Sequence, residues 1–130
     1  MSRTPRDKAG RRARVLELVH ALPDAQVVPA RGRHVQLKVR GKSFAWYVDD
    51  HHGDGRVALH CKAARGVQGR LVRAEPARWF VPPYVGPCGW IGLWIDLPAV
   101  DWTVVFERLA EAYRLTAPAK LVARLDEGLR

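Results

Sequence analysis

The segment Asp49-Asp50-His51-His52-Gly53-Asp54 gathers three carboxylates and two imidazoles, a donor set that suits a divalent metal. Geometry works against it. Neighbouring strand residues point to opposite faces, and a hairpin tip leaves such side chains in water without the partners that orient metal ligands. Aspartate and glycine are also what a turn requires. The segment therefore reads first as a turn, and a metal-dependent hydrolase centred on residues 49–54 is the weakest of three functional readings. Protonated, His51 and His52 suit phosphate instead. Nucleophiles fare no better: Ser43 lacks a Gly-x-Ser-x-Gly context, and no glycine-rich phosphate loop precedes a helix. Cys88 lies between Pro87 and Gly89, and Cys61 reads as a core-facing strand residue. Cysteines so placed act as small hydrophobes. Glu107 and Glu111 stand one helical turn apart beside Arg108 and Arg114, the pattern of a solvated face. No catalytic residue, metal or cofactor is assigned, and no enzymatic activity is expected.

Positive charge offers more. The 130 residues carry 22 Lys and Arg against 13 Asp and Glu, a net +9. The excess is patchy. Residues 1–14 hold six basic side chains against Asp7, residues 31–42 hold five with no acid, and residues 61–80 hold five against Glu75. Clustered positive charge argues for polyanionic partners and says nothing about fold.

The elements that must position this charge follow from periodicity. Thr4-Pro5 is a helix-start signature, and Val15, Leu16, Val19 and Leu22 follow at helical spacing until Pro23-Asp24 stops them. From residue 33 the period becomes two. Val35, Leu37 and Val39 alternate with polar residues up to the Gly41-Lys42 turn, then Phe44, Trp46 and Val48 alternate with Ser43, Ala45 and Tyr47. After the 49–55 loop, Val57, Leu59 and Cys61 alternate in turn, which completes an antiparallel meander of three strands with one apolar face. Residues 66–80 read as short helical turns, 81–89 as irregular, and Trp90–Ile95 as a further strand. Asp101 caps a helix to about Thr116, and Ala117-Pro118 precedes a last short one. Helices then cover the aliphatic face of the sheet, which makes the class α+β.

The opposite face would present His34, Lys38, Arg40, Lys42, Tyr47, Arg56, His60 and Lys62, joined by Trp90 and Trp94 from the later strand. Cations neutralise phosphates and aromatic faces stack on bases, so these ten residues are the candidate nucleic-acid-binding set. Stacking by Tyr47, Trp90 and Trp94 would favour single-stranded or distorted DNA. No helix rich in Arg, Asn and Gln is available to read the major groove, so affinity is expected from phosphates with low sequence specificity. About five neutralised phosphates would give a log–log salt slope of around −4 to −5 on duplex DNA.

With 48% apolar and 27% charged residues, the chain buries a core as one domain, residues 13–130, behind a basic arm or frayed helix start at 1–12. Two cysteines without zinc-finger spacing exclude a disulfide framework and a structural zinc domain. No apolar run approaches a membrane span, and no secretory signal is read at the N-terminus, so a cytoplasmic monomer or weak homodimer is expected.

Gly41-Lys42-Ser43-Phe44-Ala45-Trp46, the meander ending Leu59-His60-Cys61-Lys62, the Trp79-Phe80 to Tyr84 region, Gly89-Trp90-Ile91-Gly92-Leu93 and the closing Glu111–Leu121 stretch together resemble the MmcQ/YjbR family. The resemblance spans roughly residues 12 to 122, with Lys42, Lys62, Trp90 and Tyr113 on the family pattern. It implies a CyaY-like α+β fold carrying a "double-wing" DNA-binding motif, and supplies no catalytic role. Frataxin-like iron binding needs an acidic surface, and this chain is basic, so iron is not carried over. The alternative to DNA binding is a protein- or small-ligand-binding module that uses an exposed tryptophan patch.

Overall fold

The computed structural model describes residues 8–129. The Thr4-Pro5 cap and the first residues of the basic arm lie outside the described residues. Helix α1 runs Lys8–His20 and turns Arg11, Val15 and Val19 inward, one stripe at i, i+4 spacing. Residues 8–12, read from sequence as part of an arm or frayed start, are therefore its first turns. Strands β1 (Ala25–Pro29), β2 (Val35–Val39), β3 (Lys42–Asp49) and β4 (Val57–Cys61) follow, then α2 (Val67–Ala74), β5 (Trp79–Phe80) and β6 (Ile91–Trp94). Helices α3 (Trp102–Arg114) and α4 (Ala119–Gly128) close the fold. The six strands form one antiparallel sheet in the order β1-β2-β3-β4-β6-β5. Strands β1 and β5 were not expected. One is a half-exposed edge that ends in proline, the other has only two residues, and neither is long enough to display a period.

The core lies on one face. Val35, Leu37, Tyr47, Leu59 and Leu93 from the sheet meet Val15 and Val19 of α1 and Val105, Leu109 and Tyr113 of α3. The Asp101 carboxylate caps α3 by accepting from the Thr103 and Val104 amides at 3.1 and 3.4 Å. Three long-range hydrogen bonds fasten the helices to segments that flank the sheet. The buried Arg11 guanidinium donates to the Ile95 and Leu97 carbonyls, each at 2.6 Å, and the Tyr113 hydroxyl donates to the Pro23 carbonyl at 2.7 Å.

The hairpin turn Arg40-Gly41 has φ of 49° and 79°, the left-handed pair that a two-residue hairpin demands. Just beyond it the register shifts: Leu37 faces Ala45, but Lys38 faces Ser43, so Phe44 is an extra residue. This bulge corrects the expected faces of β3. Phe44 and Ala45 are both fully buried, Phe44 edge-on to Tyr113 at 5.9 Å. From there the alternation is inverted, because an inserted residue exchanges the two faces of every residue after it. Tyr47, expected on the open face as a stacking residue, lies in the core between Val35 and Leu59 with no exposure. Trp46 and Val48, expected in the core, face the other way.

Candidate functional site

The open face is ordered in rows across the strands. One row runs Gln36, Trp46, His60, Gly92 and Phe80, and the next runs Val48, Ala58 and Trp94. Gly92 is required where it stands, since a Cβ there would enter the Phe80 ring. Phe80 thus lies over Gly92 and stacks on Trp94, with ring centroids 4.1 Å apart and planes 23° apart. On Trp94 rests the Arg56 guanidinium, 3.7 Å from the ring centroid. Arg56 is also held in a two-pronged ion pair with Asp96, at 2.8 and 3.0 Å. Burial pushes the Asp96 carboxyl up, but Arg56 and the Val57 amide outweigh it and hold the group below the usual carboxylate range.

Beside this stack the face is roofed. The irregular 81–90 segment, held by the Gln68 side chain donating to the Gly86 and Trp90 carbonyls at 2.8 and 2.6 Å, brings Pro83, Tyr84 and Val85 opposite the sheet. With Trp46, Val48 and His60 as floor and His34 and His51 at the side, they border a half-open cavity of about 280 Å³. A smaller space of about 160 Å³ continues toward Arg56, Phe80 and Trp94. Burial, aided by the nearby His51 and His34, pushes the His60 imidazole down to about 4, so it is neutral at pH 7. His51 is lowered too, by burial and then by His52 and His34. The Asp49 amide donates to His34 Nδ1 at 3.0 Å, so neutral His34 carries its proton on Nε2. His52 Nε2 and the Tyr84 hydroxyl share a hydrogen bond of 3.1 Å across the rim.

The cations divide into bound and unbound. Arg11 is buried, Arg12 donates to the Arg33 carbonyl, Arg14 lies over Trp102, and Arg33 pairs with Asp49. Arg40, on its exposed turn, pairs with Asp24 at 3.1 Å. Lys38, Lys42 and Lys62, by contrast, make no ion pair among the described residues. Lys38 faces Ser43, and Lys62, whose amide donates to the Phe44 carbonyl, follows core-facing Cys61, so these two stand on the open face at the end away from the Asp49–Arg56 loop. Lys42, expected beside them, is opposite fully buried Val39, which puts it at the same end of the sheet but on the helix side, exposed. Half-buried Trp90, just before β6, starts the strand at that same end. Arg65, Arg70 and Arg73 follow, exposed, on and before α2.

Of the ten residues chosen from sequence, Lys38, Lys42, Lys62 and Trp90 share the lysine end, while His34, His60, Trp94 and Arg56 belong to the roofed end. Arg40 is engaged at its turn, and Tyr47 is in the core. Sequence reasoning missed Trp46, Val48, Phe80 and Tyr84 as site residues. The first two were hidden by the bulge; the others come from a stretch whose prolines mark irregularity but not direction. The loop carboxylates act as turn acceptors: Asp50 takes the Gly55 amide at 2.7 Å and Asp54 the Arg56 amide at 2.8 Å. Among the described residues no cluster of His, Cys, Asp and Glu is arranged to hold a metal. Burial pushes the Cys61 thiol up to about 12, which removes it as a nucleophile at neutral pH. None of the five tryptophans is exposed, so the expected exposed tryptophan patch is absent: Trp79 and Trp102 are buried, and the others are half-buried. No helix among the described residues is long and apolar enough to cross a membrane.

Comparison with known proteins bears on the fold. No curated protein matches the chain. The crystal structure of Deinococcus radiodurans protein DR2400, a DUF419 domain, superposes with a TM-score of 0.64 over 85% of this chain and 83% of its own, at 19% identity. That likeness establishes the α+β fold. The family model described as YjbR matches residues 20–115, which takes in the sheet, the roofed cavity and all of α3, and on that match the chain belongs to the YjbR family.

Proposed function

We propose that the protein binds DNA, single-stranded or locally unpaired, through the lysine end of its open sheet face, with phosphate contacts dominating and sequence specificity low. The observation that carries this reading is Lys38 and Lys62 on the open face beside half-buried Trp90, with exposed Lys42 at the same end of the sheet, three cations without carboxylate partners among the described residues. Charge already neutralised within the protein adds little to phosphate binding. Arg40 and Arg56 therefore drop out of the set, and about three phosphates remain. The salt slope falls accordingly, to about −2 on single strands. The reading places the protein in the cytoplasm as a monomer or weak homodimer and assigns it no catalytic role.

Fluorescence anisotropy of a labelled oligonucleotide, titrated at several salt concentrations, tests this. Binding that weakens with salt at the stated slope, and is lost in the Lys38→Gln, Lys42→Gln, Lys62→Gln triple variant, supports it. Binding unchanged in that variant overturns it. A second reading, a small-ligand module without nucleic acid, is favoured by the roofed cavity, and predicts ligand affinity indifferent to those lysines.

A further inference from the structure

We infer that the roofed cavity is a pocket for a single nucleobase, which receives one unstacked base of a strand whose phosphates the lysines hold. The inference rests on the DNA reading for the source of the base, but on its own geometry for the chemistry. A cavity of about 280 Å³ is well above the ~150 Å³ that holds a benzene ring, so a one- or two-ring heterocycle fits. The lining is chiefly aromatic and flat: Trp46 on the floor, His34, His51 and His60 around it, and Tyr84 above. No lysine, arginine or carboxylate lines it, and in the adjoining space Arg56 is already paired with Asp96 and stands near Asp54, so a phosphate would enter without a free counter-charge, at a desolvation cost.

A purely apolar guest is equally ill-matched. His34 offers a proton on Nε2, fixed there by the Asp49 amide, and His51 Nε2 is buried without a hydrogen-bond partner among the described residues. A flat ring with donors and acceptors along its edge meets both demands, and that is the chemistry of a base. Position agrees. His60, on the pocket floor, precedes Lys62, the residue just after β4, by two positions, about 7 Å of extended chain, within one nucleotide's reach from base to phosphate. Tyr84 is 77% exposed and closes the pocket from a segment outside the sheet, so a base can enter without breaking the strand ladder.

The test compares oligothymidylate with an abasic phosphate oligomer of equal length and charge, alongside free thymidine and adenosine. Intact strand binding about tenfold or more tighter than abasic strand, at the same salt slope, is the expected result. That advantage should vanish in Trp46→Leu and shrink in Tyr84→Ala. Tyr84→Ala removes an exposed side chain whose hydrogen bond is to His52 on the rim, with no part in the core, so it guards against misfolding of the first variant. Equal affinity for intact and abasic strands overturns the base pocket and leaves the lysine reading intact. If neither strand binds, the lysine reading fails alone, and the nucleosides decide the pocket. Perturbation of the His34 and His60 proton resonances by thymidine or adenosine then assigns the pocket to free nucleosides, and unmoved resonances overturn it.

Discussion

His60 is a neutral imidazole by virtue of where it stands, and that has a price in acid. Unfolded, it titrates near 6.5; folded, at about 4. The unfolded chain therefore takes up the proton first as pH falls. The stability held by neutral His60 is whole above pH 6.5, drains between 6.5 and about 4, and is spent below that, a loss of about 3 kcal/mol at most. Urea unfolding at pH 7 and pH 4 should show this loss, and His60→Gln should lose correspondingly less over the same interval. An identical pH dependence in the variant would remove His60 from the account. Gly92 is the second telling residue. Alanine there drives its Cβ into the Phe80 ring, so Gly92→Ala should cost about 1–3 kcal/mol and unstack Phe80 from Trp94. Near-ultraviolet circular dichroism would register the altered Trp94 environment, and an unchanged spectrum would show that Phe80 adapts in place.

At the scale of elements, the strand β3 decides what faces the site. Its period was legible in the sequence, and so were β2, β4, β6, α3 with its Asp101 cap, and α4, because each is long enough to repeat its pattern. The inverted phase of β3 was not. A bulge is set by how Phe44 packs against Tyr113 and by the register with β2, and both partners lie outside the strand's own residues. The same limit hid Phe80 and Tyr84, whose directions come from pairing with β6 and from Gln68. Of the cationic end, the sequence period placed Lys38 and Lys62 on the open face, but that they lack carboxylate partners, and that Lys42 stands opposite core residue Val39, are tertiary facts. The bulge makes a sharp prediction. Tyr47→Ala should cost about 3–5 kcal/mol as a core truncation, and Trp46→Ala, half-buried on the open face, about 1–2 kcal/mol. Denaturant midpoints for the pair measure it, and the reverse order would restore the unbulged register.

For the whole molecule, a net charge of +9 already counts each internal ion pair as zero, so what a strand meets is set by where the surplus cations stand. Single neutralising changes at Lys38, Lys42 or Lys62 should each lower the magnitude of the single-strand salt slope by about 0.7. Arg40→Gln should leave it nearly unchanged; an equal effect from Arg40 would mean that its pairing with Asp24 yields to phosphate. The Arg11 and Tyr113 fastenings bear on a different property, the order of events when the chain is made. They join residues 84, 86 and 90 positions apart. A ribosome delivers α1 long before its anchor points at Ile95 and Leu97, so α1 emerges with its inward stripe of Arg11, Val15 and Val19 facing nothing. Closing such separations carries its full entropic cost before any of these contacts forms. Folding during synthesis therefore waits until α3 has left the exit tunnel, and the nascent chain passes most of its translation without the docking that completes its core.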